Sequence, residues 1–229
     1  MSVDPALYQK YPKEKIDEAI AFLTYKKVTP MPKTELPGVP TLYVFRHGET
    51  TDNAAMIFSG WRDVDLTEKG IEQVMLLTDK LANKKIDMLI ASDQIRSVHT
   101  MEIAISKNEH AKGLEIIRDA RIKERRYGDL QGTSKLQIQL ENPELALKYR
   151  RSYDTVPPNG ESLAMVVKRV TSFIEEIVPK MKEFNINVAV SCHGNSIRGF
   201  RQYFEHLSND ETATIENPLG QDYLAYAIS

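Results

Sequence analysis

Two short apolar runs, each closed by a His-Gly pair, constrain this chain more than any other feature. Leu42-Tyr43-Val44-Phe45 passes directly into Arg46-His47-Gly48-Glu49, and Val188-Ala189-Val190 passes through Ser191-Cys192 into His193-Gly194. An uninterrupted apolar run of this length reads as a buried strand, the habit of parallel sheets covered by helices. In such sheets ligands bind at the carboxyl ends of the strands. Both His-Gly pairs sit at those ends.

The rest of the chain continues the alternation of strand and helix. Strands are expected at 42–45, 86–91, 114–117, 188–191 and 223–228. Thr67 reads as the N-cap of a helix to about residue 83, with Ile71, Val74, Leu77 and Leu81 on one face. Ser92 reads as the opening of a helix to about residue 107. Further helices are expected at 134–141, 143–151, 162–184 with a bend near Pro179, and 197–207. The expected fold class is α/β: three-layer α/β/α, a mostly parallel sheet with helices on both faces. Ahead of it, Ile16, Ala19, Ile20 and Leu23 give residues 13 to about 28 an amphipathic helical pattern. The stretch "VTPMPKTELPGVP" then places prolines at 30, 32, 37 and 40, which argues against regular structure. Residues 1–40 therefore read as a helical arm and Pro-rich linker, and residues 41–229 as the main domain.

Composition removes several function classes. Of 229 residues 41% are apolar and 27% charged, and the net charge is −2. A nucleic-acid binder shows a basic excess or stripe, whereas acids and bases interleave here. No apolar run reaches the roughly 18 residues of a membrane span. The polar N-terminal stretch does not read as a secretory signal. Cys192 is the single cysteine, so no intrachain disulfide forms. A soluble, cytoplasmic protein is the expectation.

A histidine at a strand end can bind a metal, act as a base or attack as a nucleophile. Arg46 beside His47 offers a planar fork for phosphate or carboxylate, and the glycine lets backbone approach a ligand closely. The arginine also opposes a cation, and the chain has neither a His-x-x-x-His pattern nor a cysteine pair. The residues thus favour an anion pocket holding a nucleophile or base, with no metal. Taken singly, other residues read more plainly. Arg96 suits a solvated helix charge, Glu124 in "KERR" a charged loop, Glu49 a local cap or ion pair, and Trp61 and Cys192 packing. His99, His110 and His206 read as structural.

"RHGETTDN" at 46–53 resembles the signature of the histidine phosphatase superfamily, the phosphoglycerate mutase-like proteins. "FSGWRDVDLTEKG" at 58–70, "ASDQIRSVHT" at 91–100, "KERRYGDLQG" at 123–132, "PPNGESL" at 157–163 and "SCHGNSIRG" at 191–199 are similar to its other blocks and fall in the same order. The resemblance covers about residues 41–207. It implies that His47 carries the phosphoryl group, that Arg46, Arg96 and His193 hold the phosphoryl oxygens, and that Glu124 exchanges the proton.

Within that superfamily, "ERRYG" at 124–128, Lys135 and "RRSYD" at 150–154 resemble the cofactor-dependent mutase group. By this resemblance Tyr127, Lys135, Arg150 and Arg151 hold the far end of the substrate, and Asn53, Ser59, Gly60, Gly194 and Asn195 line the phosphate end. The implied reaction interconverts 3-phosphoglycerate and 2-phosphoglycerate through a phosphohistidine, primed by 2,3-bisphosphoglycerate. A phosphomonoester phosphatase with the same residues around His47 is the alternative, and a non-catalytic phospho-ligand module a third reading. The expected partner is a small phosphorylated metabolite, with a homo-oligomer allowed. Residues 1–40 lie outside the resemblance, and "ENPLGQDYLAYAIS" departs from the mutase pattern in its proline and threonine arrangement.

Overall fold

The computed structural model describes residues 4–24 and 30–229. In chain order the elements are α1 (Pro5–Lys10), α2 (Lys13–Thr24), β1 (Thr41–Arg46), α3 (Thr51–Ala54), α4 (Glu68–Leu81), β2 (Met88–Ala91), α5 (Ile95–Ala104), β3 (Ile116–Arg118), α6 (Lys135–Glu141), α7 (Pro143–Arg151), α8 (Leu163–Phe184), β4 (Val188–Cys192), α9 (Gly194–Glu205), α10 (Asn209–Thr214) and β5 (Tyr223–Ala227). The strands lie in the order β3-β2-β4-β1-β5. All neighbours are parallel except β5, which runs antiparallel to β1 at the edge.

Period-two alternation within each strand divides the core into two layers. Leu42, Val44, Val188, Val190 and Leu224 face Val166, Val170, Phe173 and Ile174 of α8 and Phe200 of α9. Tyr43, Phe45, Leu89, Ala91 and Ala189 face Val74, Leu77 and Leu81 of α4 and Met101 and Ala104 of α5. Burial on both faces explains why β1 and β4 read as continuous apolar runs. The architecture is the three-layer α/β/α sandwich that the alternation implies.

Several expected boundaries move, each for a local reason. Ser92 does not open α5. The helix begins at Ile95, whose N–H donates to Asp63 Oδ1 at 2.8 Å, so its cap comes from a distant loop. The expected helix at 197–207 starts earlier, at Gly194, and stops where His206 turns left-handed at φ 54°. α8 is one helix through Pro179. The helix expected over residues 13 to 28 is described as far as Thr24, and residues 25–28 lie outside the described residues. α1 and α10 had no periodic signal, each being only 6 residues long. The Pro-rich stretch is not wholly irregular. Pro32 C=O accepts from Ala225 N–H and Thr34 N–H donates to Ala225 C=O, so Lys33 pairs along the outer edge of β5. The pairing uses proline only as an acceptor, which it can be.

The arm packs on the main domain. Ile16, Ala19 and Leu23 of α2 form a third apolar cluster with Met56 and with Leu136 and Leu140 of α6.

Gly70 in the first turn of α4 crosses the backbone just after β1. A Cβ there would collide with the Glu49 carbonyl, and one at Gly48 would collide with the Gly70 carbonyl. Two bare backbones therefore meet beside His47. Alanine in a helix normally gains up to about 1 kcal/mol over glycine, whereas overpacking costs about 1–3 kcal/mol. The collision is with main chain, so overpacking wins. Gly70→Ala is expected to lower the urea midpoint without changing the slope; a raised midpoint would show that the crossing yields.

Candidate active site

The register of β1 on β4 builds the centre of the site. Arg46 lies opposite Cys192, so the next residue of each strand, His47 and His193, emerges beside the other. His47 N–H donates to Cys192 C=O at 3.1 Å, and the two rings lie 5.1 Å apart between centroids. A cleft of about 340 Å³ opens here, a volume at the small end for ligand sites. Arg46, His47, Asn53, Ser59, Gly60, Arg96, Glu124, Tyr127, Lys135, Arg150, Arg151, Gly194 and Asn195 all line it. His193 lies beneath the others and is fully buried.

His47 is held neutral, with one ring nitrogen free. Its Nδ1–H donates to Gly48 C=O at 2.7 Å, which leaves Nε2 with the lone pair. Burial first, then Arg96 and Arg46, hold its pKa well below the ordinary histidine value, against a smaller opposite pull from the Gly48 carbonyl. His193 is neutral for similar reasons, with burial leading and Arg96 next. Its Nε2 lies 2.6 Å from Ser92 Oγ. That hydroxyl already accepts from Gln94 N–H at 3.3 Å, so its own hydrogen is free to donate to Nε2. His193 Nδ1 then carries a proton and has no partner.

The unpartnered buried groups share one character. Arg46 Nε, Arg96 Nε, His193 Nδ1 and the Ser59 hydroxyl are buried at this site without a hydrogen-bond partner. All four can donate, and buried donors of this kind cost free energy unless satisfied. The set is matched to an anion with several acceptor oxygens. Arg96 is fixed for the purpose, its guanidinium giving 2.8 Å bonds to the carbonyls of Arg62 and Gly60. It is 1% exposed and so is no solvated helix charge. Burial pushes its pKa down to about 10, which leaves it cationic. Gly194 is required for closeness, because a Cβ there would press on the Arg46 guanidinium at 3.2 Å. The N-terminus of α9 adds partial positive charge at the same place.

Glu124 is also buried, at 7% exposure, and is not an ordinary loop acid. Its Oε1 accepts from Asn195 Nδ2 at 2.8 Å and Arg125 N–H at 2.7 Å. Burial raises its pKa, but the bonds from Asn195 and Arg125 and the charges of Arg46 and Arg96 outweigh burial and hold it below the usual carboxylate value. Tyr127 is tied to the same group through Asn195 Nδ2, 3.3 Å from its hydroxyl.

His47, Glu124 and His193 bring ligand-type atoms within 4.8 Å of one another. Two guanidiniums share that space, so the charge balance opposes a metal ion and favours an anion. Among the singly read residues, Glu49 pairs with Lys69 at 3.0 Å as a local ion pair should. His99 pairs with Asp65, and Cys192 is buried. Trp61 packs under Lys123 and Arg126, does not line the cleft, is 38% exposed and donates Nε1–H to Glu124 C=O at 2.7 Å. The expected far-end residues are present as a second cation group. Arg151 is already ion-paired to Glu216. Sequence reasoning missed Arg198, Glu216 and Asn217, which line the cleft. Arg198 was visible as the arginine just behind the second His-Gly pair; the other two lie in the departing C-terminal stretch.

Lys135 provides a pH test. Burial first, then Arg150 and Arg46, push its pKa down to about 7. A lysine so depressed is charged below that value and neutral above it, and a bound anion favours the charged form. Sulfate does not titrate near neutrality, and both site histidines titrate well below it. Sulfate affinity is therefore expected to fall by up to about tenfold as pH rises from roughly 6 to 8. Calorimetry on Lys135→Met should show weaker binding at the acid end and no slope. An unchanged slope would place the titrating group elsewhere.

Comparison with known proteins identifies the family and the fold. The sequence model of the histidine phosphatase superfamily (branch 1) matches residues 42–221. The chain is 32% identical over 205 residues to the 2,3-bisphosphoglycerate-dependent phosphoglycerate mutase of Chlamydia abortus, covering 79% of this chain and 90% of that one. It is 33% identical over 184 residues to the mutase of the same name from Cytophaga hutchinsonii, covering 80% and 85%. Among solved structures, Bacillus stearothermophilus YhfR superposes with TM-score 0.73 at 25% identity, covering 81% and 90%. A mycobacterial glucosyl-3-phosphoglycerate phosphatase in complex with VO3 superposes with TM-score 0.72 at 24% identity, covering 81% and 92%, a likeness of fold. With its two His-Gly strand ends, its buried arginines and this extent of match, the chain belongs to the histidine phosphatase superfamily, branch 1.

Proposed function

We propose that this enzyme interconverts 3-phosphoglycerate and 2-phosphoglycerate through a phosphohistidine on His47, primed by 2,3-bisphosphoglycerate and without a metal, in the cytoplasm. The observation that carries the reading is the second set of cations, Lys135, Arg150, Arg151 and Arg198, in the same small cleft as His47. A phosphatase of simple monoesters needs cations only where the phosphoryl group reacts. A ligand with a second phosphate or a carboxylate needs them at both ends. The mutase names of the relatives at 32% and 33% identity point the same way.

The steps follow from the side chains. His47 Nε2 attacks phosphorus, an N–P bond forms and the P–O bond to the leaving oxygen breaks. Gly48 C=O, which accepts from Nδ1–H, stabilises the positive charge that develops on the ring. Arg46, Arg96 and His193 Nδ1–H bind the phosphoryl oxygens as their charge redistributes. Glu124 is ionised without ligand, so it takes up a proton as the anionic ligand enters, gives it to the leaving oxygen, and recovers one from the next acceptor hydroxyl. Transfer to the other hydroxyl of a retained glycerate completes isomerisation; transfer to water is hydrolysis. The Arg151–Glu216 pair favours a second reading, phosphomonoester hydrolysis, because it leaves the far end less positive than the cation count suggests.

A product assay on 3-phosphoglycerate separates the two. In the presence of a chelator, the wild type is expected to yield 2-phosphoglycerate, with the rate rising on adding 2,3-bisphosphoglycerate. His47→Ala is expected to form neither product nor acid-labile phosphoprotein. Free phosphate as the sole product would establish the phosphatase; activity lost to the chelator and restored by a divalent ion would overturn the metal-free mechanism.

Arg150 tests the grip on the non-reacting end. A charge-assisted bond is worth about 1.5–3 kcal/mol, so Arg150→Ala is expected to raise KM for 3-phosphoglycerate by roughly 10–100-fold. The phosphorylated intermediate should also escape sooner, lowering the ratio of 2-phosphoglycerate to free phosphate. Removing Arg151 alone would strand Glu216, so its fair test is Arg151→Ala with Glu216→Gln. An unchanged product ratio in both variants would show that these arginines do not hold the substrate.

A further inference from the structure

We propose that α2, which lies outside the family match at 42–221, is the specificity element of this cleft. It would fix Lys135 and Arg150 and close the far wall around a small, doubly anionic ligand. The inference rests on the function proposed above and deepens it.

Two of the far-end cations, Lys135 and Arg150, are held differently from the other cations of the cleft. Arg96 is clamped by two carbonyls, and Arg151 has Glu216. Among the described residues, Lys135 and Arg150 have no side-chain hydrogen bond or ion pair. Each lies over an aromatic ring instead. Lys135 Nζ is 5.5 Å from the centre of Phe58, and the Arg150 guanidinium is 5.9 Å from that of Phe22. Packing and cation–π attraction therefore decide where these charges point. Phe22 belongs to α2.

The same helix fixes Lys135 from behind. Lys135 opens α6, and its N–H donates to Met56 C=O at 2.8 Å. Met56 and the next residue, Leu136, are the side chains on which Ile16, Ala19 and Leu23 pack. One face of α2 thus seats the first turn of α6 while its rim backs the end of α7. The following residues, Leu23 and Thr24, line the cleft itself. An apolar wall beside unpartnered cations suits a compact ligand that brings its own negative charges. It excludes a bulky ester, which would have to displace α2.

Two variants that do not line the cleft test this. Phe22→Ala removes the ring from a residue 48% exposed, where folding is not at risk. Ile16→Ala loosens the seat of α2 on α6. Each is expected to raise KM for 3-phosphoglycerate about two- to fivefold. Formation of phosphohistidine from p-nitrophenyl phosphate should stay unchanged, because that ester uses only the groups around His47. Ile16→Ala should also gain hydrolysis of 1-naphthyl phosphate relative to p-nitrophenyl phosphate. Phe22→Tyr, which keeps the ring, should restore the wild-type KM. An unchanged KM in Phe22→Ala overturns the inference, as does an equal loss on all three substrates. If the wild type only hydrolyses phosphoglycerate, the mutase reading fails, and the KM shift for that hydrolysis still decides the role of α2.

Discussion

The parallel pairing of β1 with β4, in the register Arg46 opposite Cys192, is the constraint on which this site depends. A strand has a side-chain period of two, so a slip of one residue would send Leu42 and Val44 to the wrong layer and carry His47 away from His193. The two apolar layers on either side of the sheet therefore hold the catalytic register as well as the fold. The cost of a slip is spread over every buried residue of both strands. That is how the side chains at two neighbouring strand ends come to be buried side by side, with ring centroids 5.1 Å apart.

Electrostatics then runs against the fold and toward the ligand. Burying Arg96 and Arg198 depresses both pKa values to about 10, yet both stay charged. Buried charge is tolerated here because backbone carbonyls accept from each guanidinium, those of Arg62 and Gly60 from Arg96 and that of Ile215 from Arg198. Some donors are left over, among them Arg46 Nε, Arg96 Nε and His193 Nδ1. Burial first, and then the same positive surroundings that an anion would satisfy, keep His47 and His193 neutral. A neutral ring is what an attacking nitrogen needs, so the anion site and the nucleophile are products of one charge arrangement. Ser92 shows how fine the arrangement is. Its hydroxyl lies 2.6 Å from Nε2 of a fully buried histidine, at a position that the sequence suggests for the opening of a helix.

Much of this was legible in the sequence, for identifiable reasons. Continuous apolar runs disclosed strands buried on both faces, and Thr67 disclosed the start of α4, because those signals are local. The residues around His47 were legible through the order of their blocks, since no single one of Arg96 or Glu124 looks unlike a surface charge. What escaped depends on contacts distant in sequence. The cap of α5 comes from Asp63, the partner of Arg151 is Glu216, and Pro32 pairs with β5.

These differences in legibility follow the division of labour in the molecule. Of the groups proposed to act on phosphorus, His47, Arg96, Glu124 and His193 are themselves buried, several of them at strand ends and helix starts. Groups that would choose the ligand sit on α6, α7 and the arm, where Lys135 and Arg150 are positioned by packing alone. Packing is what a new segment can change without disturbing the sheet. A helix docked from outside the shared domain can therefore alter the far end of the cleft while His47, His193 and Glu124 keep their geometry. Fold and first chemistry do not determine the substrate in such a protein; the contacts proposed to do so are those between α2 and the two helices it packs on.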